Sequence, residues 1–344
     1  MSTFSVYFYA ATTFMNLTQN PRVAIIGAGL TGLSAARRLI EAGIETELFE
    51  KSRDVSGRVA TRRLEFPDLT LRFDHGSPFL TSAQLQAIQP LTNSPNIPPS
   101  PAPLDVRVHR ELDDEAVISI TSGMNQVGKS LARGLKIYLS YEVTEIVPSD
   151  GNRQWKIVTK DAVVTEDFDY VITTIPPRQA ADILRSTNSA MVRSLIPIEP
   201  QGCWSLMLVT KPAIRLSLVS DPGNKIIERV INENAKGQSS AHLGLYTVHA
   251  KRPWSQRHMQ TTKADVQNAM IEGLQSLGLN SGNILHAQLH RWLYAGVVQP
   301  FGRPYLSDAQ QGLYCAGDWC LGNDINSALR SANATAARII QSLV

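Results

Sequence analysis

A glycine-rich turn near the start of the chain separates an apolar run from an amphipathic segment. Residues 23–26 are continuously apolar, as expected for a parallel strand buried on both faces. Gly27, Gly29 and Gly32 follow with the spacing G-x-G-x-x-G. The first glycine permits a sharp turn, the second lets the backbone approach a pyrophosphate, and the third lets the next helix pack closely against the strand. The pattern therefore predicts a strand, a turn and a helix.

The residues after this turn complete a nucleotide-binding pattern. A helix is predicted over residues 30–42, with Gly43 at its end, and a second strand over residues 44–49. Glu50 closes that strand, at the distance where a carboxylate can accept both hydroxyls of an adenosine ribose. The same carboxylate would repel a 2′-phosphate. We therefore expect a bound dinucleotide, FAD or NAD and not NADP, and prefer this interpretation to a purely structural turn.

Composition limits the class of protein. With 344 residues the chain is long enough for two domains, and 43% hydrophobic and 18% charged residues are ordinary for a soluble globular protein. The net charge of +3 gives no reason to expect nucleic acid or a membrane as partner. Cys203, Cys315 and Cys320 suggest neither a disulfide framework nor a metal site, so we expect buried free thiols and no metal.

The first twenty residues have an unusual composition. Residues 4–15 are apolar and aromatic, but no basic segment precedes them and they are too short for a membrane span. We predict a disordered or loosely packed extension over residues 1–20. The rest of the sequence contains no candidate span, and we expect a cytoplasmic protein. The sequence does not indicate an oligomeric state.

A basic loop follows Glu50. Ser56 and Gly57 are small enough to let a loop lie against a cofactor, and the guanidinium of Arg58 can hold a phosphate by paired hydrogen bonds. Lys51 and Ser56 join Gly57 and Arg58 as predicted cofactor contacts. A solvated basic loop is the alternative, and the roles of three further arginines stay open: Arg53, Arg62 and Arg63.

The middle of the chain contains a polar turn and several short strands. His75, in the segment 71–80, is as compatible with a structural role as with a direct role at a site. Residues 92–103 are rich in Pro, Ser and Asn and predict a connector. Antiparallel strands are predicted over 137–146, 155–159 and 162–165, and a strand that returns to the nucleotide-binding sheet over 169–175.

The second half predicts a separate sheet and a C-terminal unit. Strands are expected over 202–210, 225–232 and 242–250, and helices over 262–277 and 325–343. A strand over 313–316 runs into Gly317 and Asp318, whose carboxylate can accept hydrogen bonds from ribityl or pyrophosphate-side groups. An ordinary terminal strand and helix is the alternative. Backbone N–H groups near Asn326 and Ser327 can face a ring carbonyl that becomes negative on reduction.

These elements predict an α/β fold with two domains. One is a Rossmann-like FAD-binding domain with a parallel sheet, and the other is an α+β substrate domain with a mixed or antiparallel sheet. The FAD-binding domain is assigned residues 21–80, 120–185 and 286–344. The substrate domain is assigned residues 81–119 and 186–285.

Several stretches together resemble the renalase family of FAD-dependent oxidases, which has the fold of monoamine oxidase and p-hydroxybenzoate hydroxylase. The stretches are GAGLTGLSAARRL followed by Glu50, SGR at 56–58, TRR at 61–63, FDHG at 73–76, CWSLML at 203–208, VHAKRPWS at 248–255, HRWLYA at 290–295 and LYCAGDWCLG at 313–322. The resemblance covers most of the chain from about residue 22.

The resemblance implies non-covalently bound FAD and an unusual substrate. That substrate is a 2- or 6-dihydro isomer of NAD(P)H, which the enzyme oxidises to NAD(P)⁺ while dioxygen is reduced to hydrogen peroxide. We predict that His249 and Trp292 line the substrate cleft with His75 nearby. Trp292 could stack on the pyridine, with a core aromatic as the alternative, and His249 could bind the substrate amide or orient the ring. A structural role stays open for one of His249 and His290, and only the resemblance ranks His249 above His290. The predicted cofactor contacts are Gly27, Gly29, Gly32, Glu50, Lys51, Ser56, Gly57, Arg58, Val143, Gly317, Asp318 and Asn326.

The chain departs from the family at two places. Ser56 stands where the family has glycine, which a serine can replace if its φ angle is negative. Residues 324–328 replace an Arg-Val-Glu-Gly-Ala stretch at the start of the last helix. Two alternatives therefore stay open: an amine or other small-molecule oxidase on the same fold, and a non-catalytic flavin- or nucleotide-binding protein.

Overall fold

The computed structural model describes residues 21–66, 69–93, 98, 103–110, 116–149, 154–164, 166–213, 223–237 and 242–344. The predicted extension over 1–20 lies outside these ranges, as does most of the predicted connector over 92–103.

The strands and helices are numbered in chain order. The strands are β1 (Arg22–Ile26), β2 (Glu45–Glu50), β3 (Arg62–Phe66), β4 (Leu69–Phe73), β5 (Leu80–Thr81), β6 (Val106–Arg110), β7 (Ala116–Ile120), β8 (Lys136–Leu139), β9 (Val143–Pro148), β10 (Trp155–Thr159), β11 (Tyr170–Thr173), β12 (Pro200–Thr210), β13 (Ile227–Asn232), β14 (Gly244–Ala250), β15 (Ile284–Val297), β16 (Leu306–Asp308) and β17 (Leu313–Cys315). The helices are α1 (Leu30–Glu41), α2 (Ser82–Thr92), α3 (Gln126–Ala132), α4 (Pro177–Ile183), α5 (Met191–Leu195), α6 (Arg252–Arg257), α7 (Lys263–Gln275) and α8 (Ile325–Ser342).

A six-stranded sheet organises the first half of the fold, with the strand order β16-β17-β11-β1-β2-β8. All neighbours pair in parallel except β16, which is antiparallel to β17. The apolar side chains of β1 alternate between the two faces. Val23 and Ile25 join the core under α1 and α8, whereas Ala24 and Ile26 join the core on the opposite face.

Two predictions in this region are wrong. Lys136–Leu139 is not an antiparallel strand but β8, the parallel partner of β2 at the sheet edge. The antiparallel pair predicted beside it begins later, where β9 pairs with β10. No third strand forms over the described residues 162–164, which contribute an isolated bridge between Val163 and Val158, and Thr165 lies outside the described ranges. A short strand looks alike in sequence whichever way its partner runs.

A four-stranded antiparallel sheet organises the second half, in the order β13-β14-β12-β15. Strict alternation along β12 gives the sheet two different faces. One face carries Trp204, Leu206 and Leu208 and packs against α7. The other carries Met207 and Val209 and packs against the β3–β4 hairpin. This second face, called the inner face below, also carries the candidate catalytic side chains.

The expected α/β fold with a parallel nucleotide-binding sheet and a separate antiparallel sheet is confirmed. The domain boundaries remain a prediction. Within the described ranges, no helix combines the length and the hydropathy that crossing a membrane requires.

Candidate active site

The glycine turn forms the predicted entry to α1. Gly27 has a φ angle of 105°, and its N–H donates to the Phe49 carbonyl at 2.8 Å. A Cβ atom on Gly32 would lie 2.1 Å from the Gly27 carbonyl oxygen, so only glycine fits there. Gly29 precedes α1 without any side-chain cap, and the first turn carries no acid. The first N–H groups of α1 and its positive dipole end can therefore receive an anion.

Glu50 lies directly beside this turn. Its Oε2 accepts the N–H of Ala28 at 2.8 Å and its Oε1 accepts the N–H of Ser52 at 2.8 Å. Lys51 is exposed, and Val143 is half-buried at the start of β9. The residues just before Val143 bond back to the Glu50 strand, because the Tyr141 N–H donates to the Glu50 carbonyl at 2.9 Å.

The structure corrects the condition placed on Ser56. Its φ angle is 91°, in the region that favours glycine, and not negative as expected. The buried hydroxyl donates to the Asn125 carbonyl at 2.8 Å, and the Ser56 N–H donates to the Ala28 carbonyl at 3.0 Å. Gly57 has a φ angle of 56° and a Cβ there would lie 3.2 Å from the Gly29 Cα. The loop thus lies against the glycine turn.

Arg58 and Asp318 are brought together from distant parts of the chain. The Arg58 Nη2 donates to Asp318 Oδ1 at 2.5 Å, and its Nη1 donates to the Ala295 carbonyl at 3.0 Å. Gly317 is extended and donates its N–H to Ser331 Oγ at 2.9 Å. Arg58 therefore joins the basic loop, the C-terminal acid and the end of β15 in one place.

The start of α8 differs from the expectation. The Ser327 N–H does not point to an open site, because it donates to Asp324 Oδ1 at 2.7 Å. Asp324 is the residue that caps the helix, and Asn326 is exposed in its first turn. An aspartate is a strong helix cap, which explains why this sequence begins a stable helix there. It also puts a carboxylate at the helix start, where the sequence analysis expected free backbone N–H groups that face a ring carbonyl.

These residues fit a flavin dinucleotide at the end that binds the nucleotide. The turn offers an uncapped helix N-terminus, two glycine backbones in close approach and a carboxylate beside them. The turn and its carboxylate therefore match the phosphate and the ribose of such a cofactor.

The three predicted catalytic residues form one cluster on the inner face. The His75 carbonyl accepts hydrogen bonds from Trp292 Nε1 at 3.0 Å and from His249 Nε2 at 3.2 Å. The His75 ring stacks on the Trp292 ring with centroids 5.1 Å apart. His290 completes the cluster, with its ring centroid 4.8 Å from that of His75 and 4.5 Å from that of Trp292.

All three imidazoles are held neutral. Burial, with further contributions from His290 and Arg62, lowers the pKa of His75 to about 3. Burial likewise lowers the pKa of His249 to about 4 and that of His290 to about 4, the latter also through Arg62 and Lys263. Because a carbonyl only accepts, the proton of His249 is on Nε2, and its Nδ1 carries a lone pair.

A buried charge cluster holds the loop that carries His75. Lys236, which is 2% exposed, pairs with Asp74 and with Glu233, the latter at 3.1 Å. Asp74 Oδ1 accepts the Thr61 hydroxyl at 2.5 Å and the Met124 N–H at 2.9 Å. Glu233 Oε1 accepts the Asp74 N–H at 3.0 Å. His75 is thus positioned by its neighbour in sequence.

The sequence ranks His290 below His249 and does not indicate the Asp74–Lys236–Glu233 cluster. His290 and Trp292 alternate along β15 and share its inner face, which is a period-2 signal that was available. The other residues gave no signal, because only the strand register and the folding of distant segments bring them together.

The chain matches two family models. Residues 25–93 match the NAD(P)-binding Rossmann-like domain, and residues 104–340 match the flavin containing amine oxidoreductase. Mouse renalase is 25% identical over 335 residues, covering 90% of this chain and 96% of renalase.

Solved structures of low identity share the fold. Cyclohexylamine oxidase from Brevibacterium oxydans IH-35A superposes with a TM-score of 0.67 at 13% identity, covering 94% of this chain and 100% of that one. A fatty acid isomerase from P. acnes that produces CLA superposes with a TM-score of 0.67 at 14% identity, covering 94% and 99%.

The matched amine oxidoreductase model covers more than half of the chain, and the expected likeness to renalase is confirmed. The chain belongs to the flavin-containing amine oxidoreductases and is a flavin-dependent oxidoreductase.

Proposed function

We propose that the protein is an FAD-dependent oxidase that converts the 2- and 6-dihydro isomers of NAD(P)H to NAD(P)⁺. The bound flavin would supply the hydride acceptor and would pass the two electrons to dioxygen, giving hydrogen peroxide. The likeness to renalase supports this choice within the family. A cytoplasmic location, expected from the sequence, is part of the proposal.

The observation that carries the proposal is a neutral aromatic cluster surrounded by cations. His75, His249 and His290 have pKa values too low for any of them to be charged near pH 7. Arg62 and Lys263 both act on His290, while the nearby carboxylates Asp74 and Glu233 are paired with Lys236. This charge distribution favours a substrate with an anionic pyrophosphate and disfavours a protonated amine.

The cofactor residues follow from the same geometry. The start of α1 would hold the pyrophosphate, Glu50 the adenosine ribose, and Asp318 the hydroxyls of the ribityl chain. Arg58 would keep its bond to the Ala295 carbonyl and so tie the cofactor loop to β15. Ser56 and Gly57 would form the wall of this site.

The side chains of the cluster bind and orient, and none needs to act as a base. A dihydropyridine loses hydride without losing a proton, which agrees with three neutral imidazoles. The Trp292 ring would stack on the pyridine, and its bond to the His75 carbonyl fixes its plane. His249, locked by the same carbonyl, would keep its Nδ1 lone pair available to a donor on the substrate.

Anaerobic mixing of the flavin-loaded protein with 6-dihydro-NAD tests the proposal. We expect the yellow colour to bleach within seconds, and ordinary NADH at the same concentration to act at least tenfold more slowly. Retained colour with every dihydropyridine would refute the substrate assignment. Protein that stays colourless after incubation with excess FAD would refute the cofactor assignment.

Trp292 offers a variant test. We expect Trp292→Leu to lower the second-order rate constant for bleaching at least tenfold, because it removes both the stacking surface and the bond to His75. Trp155→Phe is the matched control, since Trp155 is buried in the other half of the fold and should leave that constant unchanged. Equal losses in the two variants would contradict the role of Trp292.

The family model itself supports a second candidate, an oxidase of amines. The same protein should then release peroxide with primary amines and not with dihydropyridines. A third outcome is tight binding of FAD with no reduction by either amines or dihydropyridines, which would indicate a flavin-binding protein without this catalysis. Asp324 at the start of α8, which departs from the family sequence, motivates this alternative.

A further inference from the structure

A cationic side chain lies on the packed face of the β3–β4 hairpin. Leu64, Leu71 and Phe73 pack against the inner face of the four-stranded sheet. Arg62 is the direct partner of Phe73 in this hairpin. Direct partners on antiparallel strands project to the same face, and residues two apart along one strand share a face. Arg62 therefore projects toward the four-stranded sheet, whereas its neighbour Arg63 lies on the opposite face and is exposed.

The hairpin holds Arg62 beside the ring cluster. Arg62 is paired with Phe73, and the hydroxyl of the preceding residue, Thr61, donates to Asp74 Oδ1 at 2.5 Å. Both of these contacts are made to residues just before His75 in the chain. Burial is the main cause of the low pKa values of His75 and His290, and the charge of Arg62 lowers both further. One guanidinium thus lies next to two of the rings that surround Trp292.

The cluster opens at the edge of the four-stranded sheet. Among the described strands of that sheet, β15 is the one at the end of the order beside β12. Its residues His290 and Trp292 are half-buried, as is Arg62, so solvent reaches the rings and the guanidinium. Lys263, which is exposed at the start of α7, also acts on His290. Two cations therefore flank accessible rings at one edge of the sheet.

Neither cation has an anionic partner in the described part of the chain. The carboxylates Asp74 and Glu233 are engaged by Lys236, and neither Arg62 nor Lys263 forms an ion pair with a described residue. Charged side chains are seldom withdrawn from solvent unless they are paired. The planar fork of a guanidinium matches two oxygens of a phosphate and can donate parallel hydrogen bonds to them. A half-buried arginine on an apolar face is therefore suited to an anion that comes with the substrate.

We propose that Arg62 binds the phosphate of the substrate nucleotide, with Lys263 as a weaker outer contact. Arg62 is thereby a specificity-determining residue, which favours dihydropyridine nucleotides over uncharged dihydropyridines and over amines. The inference rests on the proposed oxidation of dihydronicotinamide nucleotides, and identifies the group that recognises their anionic part. It also gives a role to an arginine whose role the sequence left open.

The binding test compares two oxidised ligands that differ by one phosphate and do not reduce the flavin. They are nicotinamide mononucleotide and nicotinamide riboside, and titration calorimetry of the flavin-loaded protein gives both dissociation constants. We expect wild type to bind the mononucleotide about ten- to hundredfold more tightly, as charge-assisted hydrogen bonds to a phosphate provide. Arg62→Met should weaken the mononucleotide at least fivefold and should not weaken the riboside. An unchanged preference in Arg62→Met would overturn the proposal.

Two further variants control for net charge and for geometry. Arg63→Met is the matched control, because Arg63 is adjacent on the same strand but lies on the exposed face, and it should keep the wild-type preference. Arg62→Lys keeps the charge and loses the fork, so its preference should be intermediate. Equal losses in Arg62→Met and Arg63→Met would reflect net charge alone and would overturn the role of Arg62.

Two measurements without ligand separate this role from a role in folding or in cofactor binding. Methionine keeps the apolar stem and removes a charge that has no partner among the described residues, so Arg62→Met should keep or raise the melting temperature. Its flavin content after purification should equal that of wild type. Loss of flavin would assign Arg62 to the cofactor, and a clear fall in melting temperature would assign it to a structural contact. Either result would overturn the proposal.

The outcomes also separate this inference from the proposed function. Wild-type protein that is bleached by 6-dihydro-NAD but shows no preference for the mononucleotide over the riboside refutes the phosphate site alone. Wild-type protein that no dihydropyridine bleaches refutes the proposed function. A preference for the mononucleotide that still depends on Arg62 would then support a nucleotide phosphate site without that chemistry.

Discussion

Ser56 holds a backbone conformation that a side chain rarely adopts. Its φ angle of 91° costs on the order of 1–3 kcal/mol for a residue other than glycine. The hydrogen bond from its Oγ to the Asn125 carbonyl, at 2.8 Å, offsets about 1 kcal/mol of that. The serine is therefore tolerated in the loop because a nearby carbonyl holds it.

Two substitutions at Ser56 separate these terms. Ser56→Gly removes both the strain and the bond, so its free energy of unfolding should lie within about 1 kcal/mol of wild type. Ser56→Ala keeps the strain and loses the bond, and should cost about 1–2 kcal/mol. Denaturant unfolding of both variants measures the difference. If Ser56→Ala were as stable as Ser56→Gly, the strain at this residue would be refuted.

The imidazoles of the cluster should leave the chemistry insensitive to pH. With pKa values of about 3 for His75 and about 4 for His249 and His290, none gains a proton above pH 6. We expect the rate constant for reduction of the protein by 6-dihydro-NAD to be flat from pH 6 to pH 9 in stopped-flow measurements. An inflection near pH 6.5, where an ordinary histidine titrates, would contradict the buried neutral state.

The same residues illustrate what a sequence can predict. The spacing of Gly27, Gly29 and Gly32 and the distance to Glu50 are local, so they identified the nucleotide turn directly. His290 shares a period-2 pattern with Trp292, but its contact with the His75 ring has no local signal, because that contact depends on the folding of distant segments. The acidic cap at the N-terminus of α8 was also not predicted, because Asp324 was interpreted as a departure from a family motif and not as a helix cap.

At the scale of elements, the turn before α1 allows almost no added volume. A Cβ on Gly32 would meet the Gly27 carbonyl oxygen at 2.1 Å and Thr174 Oγ1 at 2.8 Å. The carbonyl belongs to the strand–helix turn itself, so the helix would have to move away from the sheet. Thr174, which donates to the Gly27 carbonyl at 2.9 Å, would lose that bond.

Gly32→Ala should therefore abolish cofactor retention. We expect purified Gly32→Ala protein to contain less than a tenth of the wild-type flavin and to be destabilised by about 2–3 kcal/mol. Gly43→Asn is the matched control: Gly43 has open space around it, and asparagine tolerates its φ angle of 80°. Wild-type flavin content in Gly32→Ala, measured by absorbance after purification, would be inconsistent with the close packing at this turn.

Orientation and pairing of the short strands could not be read in advance. The strand Lys136–Leu139 was expected beside an antiparallel partner, yet it pairs in parallel with β2. Local propensity decides that a segment is extended, whereas its partner is decided by the packing of helices elsewhere in the chain. Three strands of the second sheet, β12, β13 and β14, were predicted within a few residues, whereas β15 (Ile284–Val297) was not predicted as a strand.

At the scale of the whole molecule, the Asp74–Lys236–Glu233 cluster connects the two halves. Asp74 follows the β3–β4 hairpin, while Lys236 and Glu233 follow β13 of the four-stranded sheet. Two carboxylates share one ammonium, and burial raises the pKa of Glu233, a shift that Lys236 opposes. Glu233 is therefore the carboxyl of this cluster that takes up a proton as the pH falls. Deprotonation of Glu233 leaves a buried negative charge.

Lys236→Met and Glu233→Gln should then differ sharply. Lys236→Met leaves two buried carboxylates without a cation and should cost about 3–5 kcal/mol. Glu233→Gln keeps an acceptor for the Asp74 N–H and for the Thr247 hydroxyl, and should stay within about 1 kcal/mol of wild type.

The sign of the pH effect gives a second readout on the cluster. Because the folded-state pKa of Glu233 is raised, its stabilising contribution is complete below the unfolded pKa and is lost as pH rises through the folded value. Glu233→Gln should therefore gain stability relative to wild type as the pH of the unfolding experiment increases. A constant or falling difference would contradict a raised pKa for Glu233.

The pairing of β12 with β15 shifts register at only two places, between Gln201 and Cys203 and between Val209 and Thr210. Between these places each residue of β12 has one fixed partner on β15. Insertions at the ends of these two strands leave the pairing of the residues between the two shifts unchanged. Insertion or deletion of one residue between the two shifts would instead turn every following side chain to the opposite face of the sheet. Imidazoles would then point toward α7, and leucines would point toward the inner face. We therefore expect relatives of this chain to vary in the length of the loops beside β12 and β15, but to have no insertion or deletion between the two register shifts.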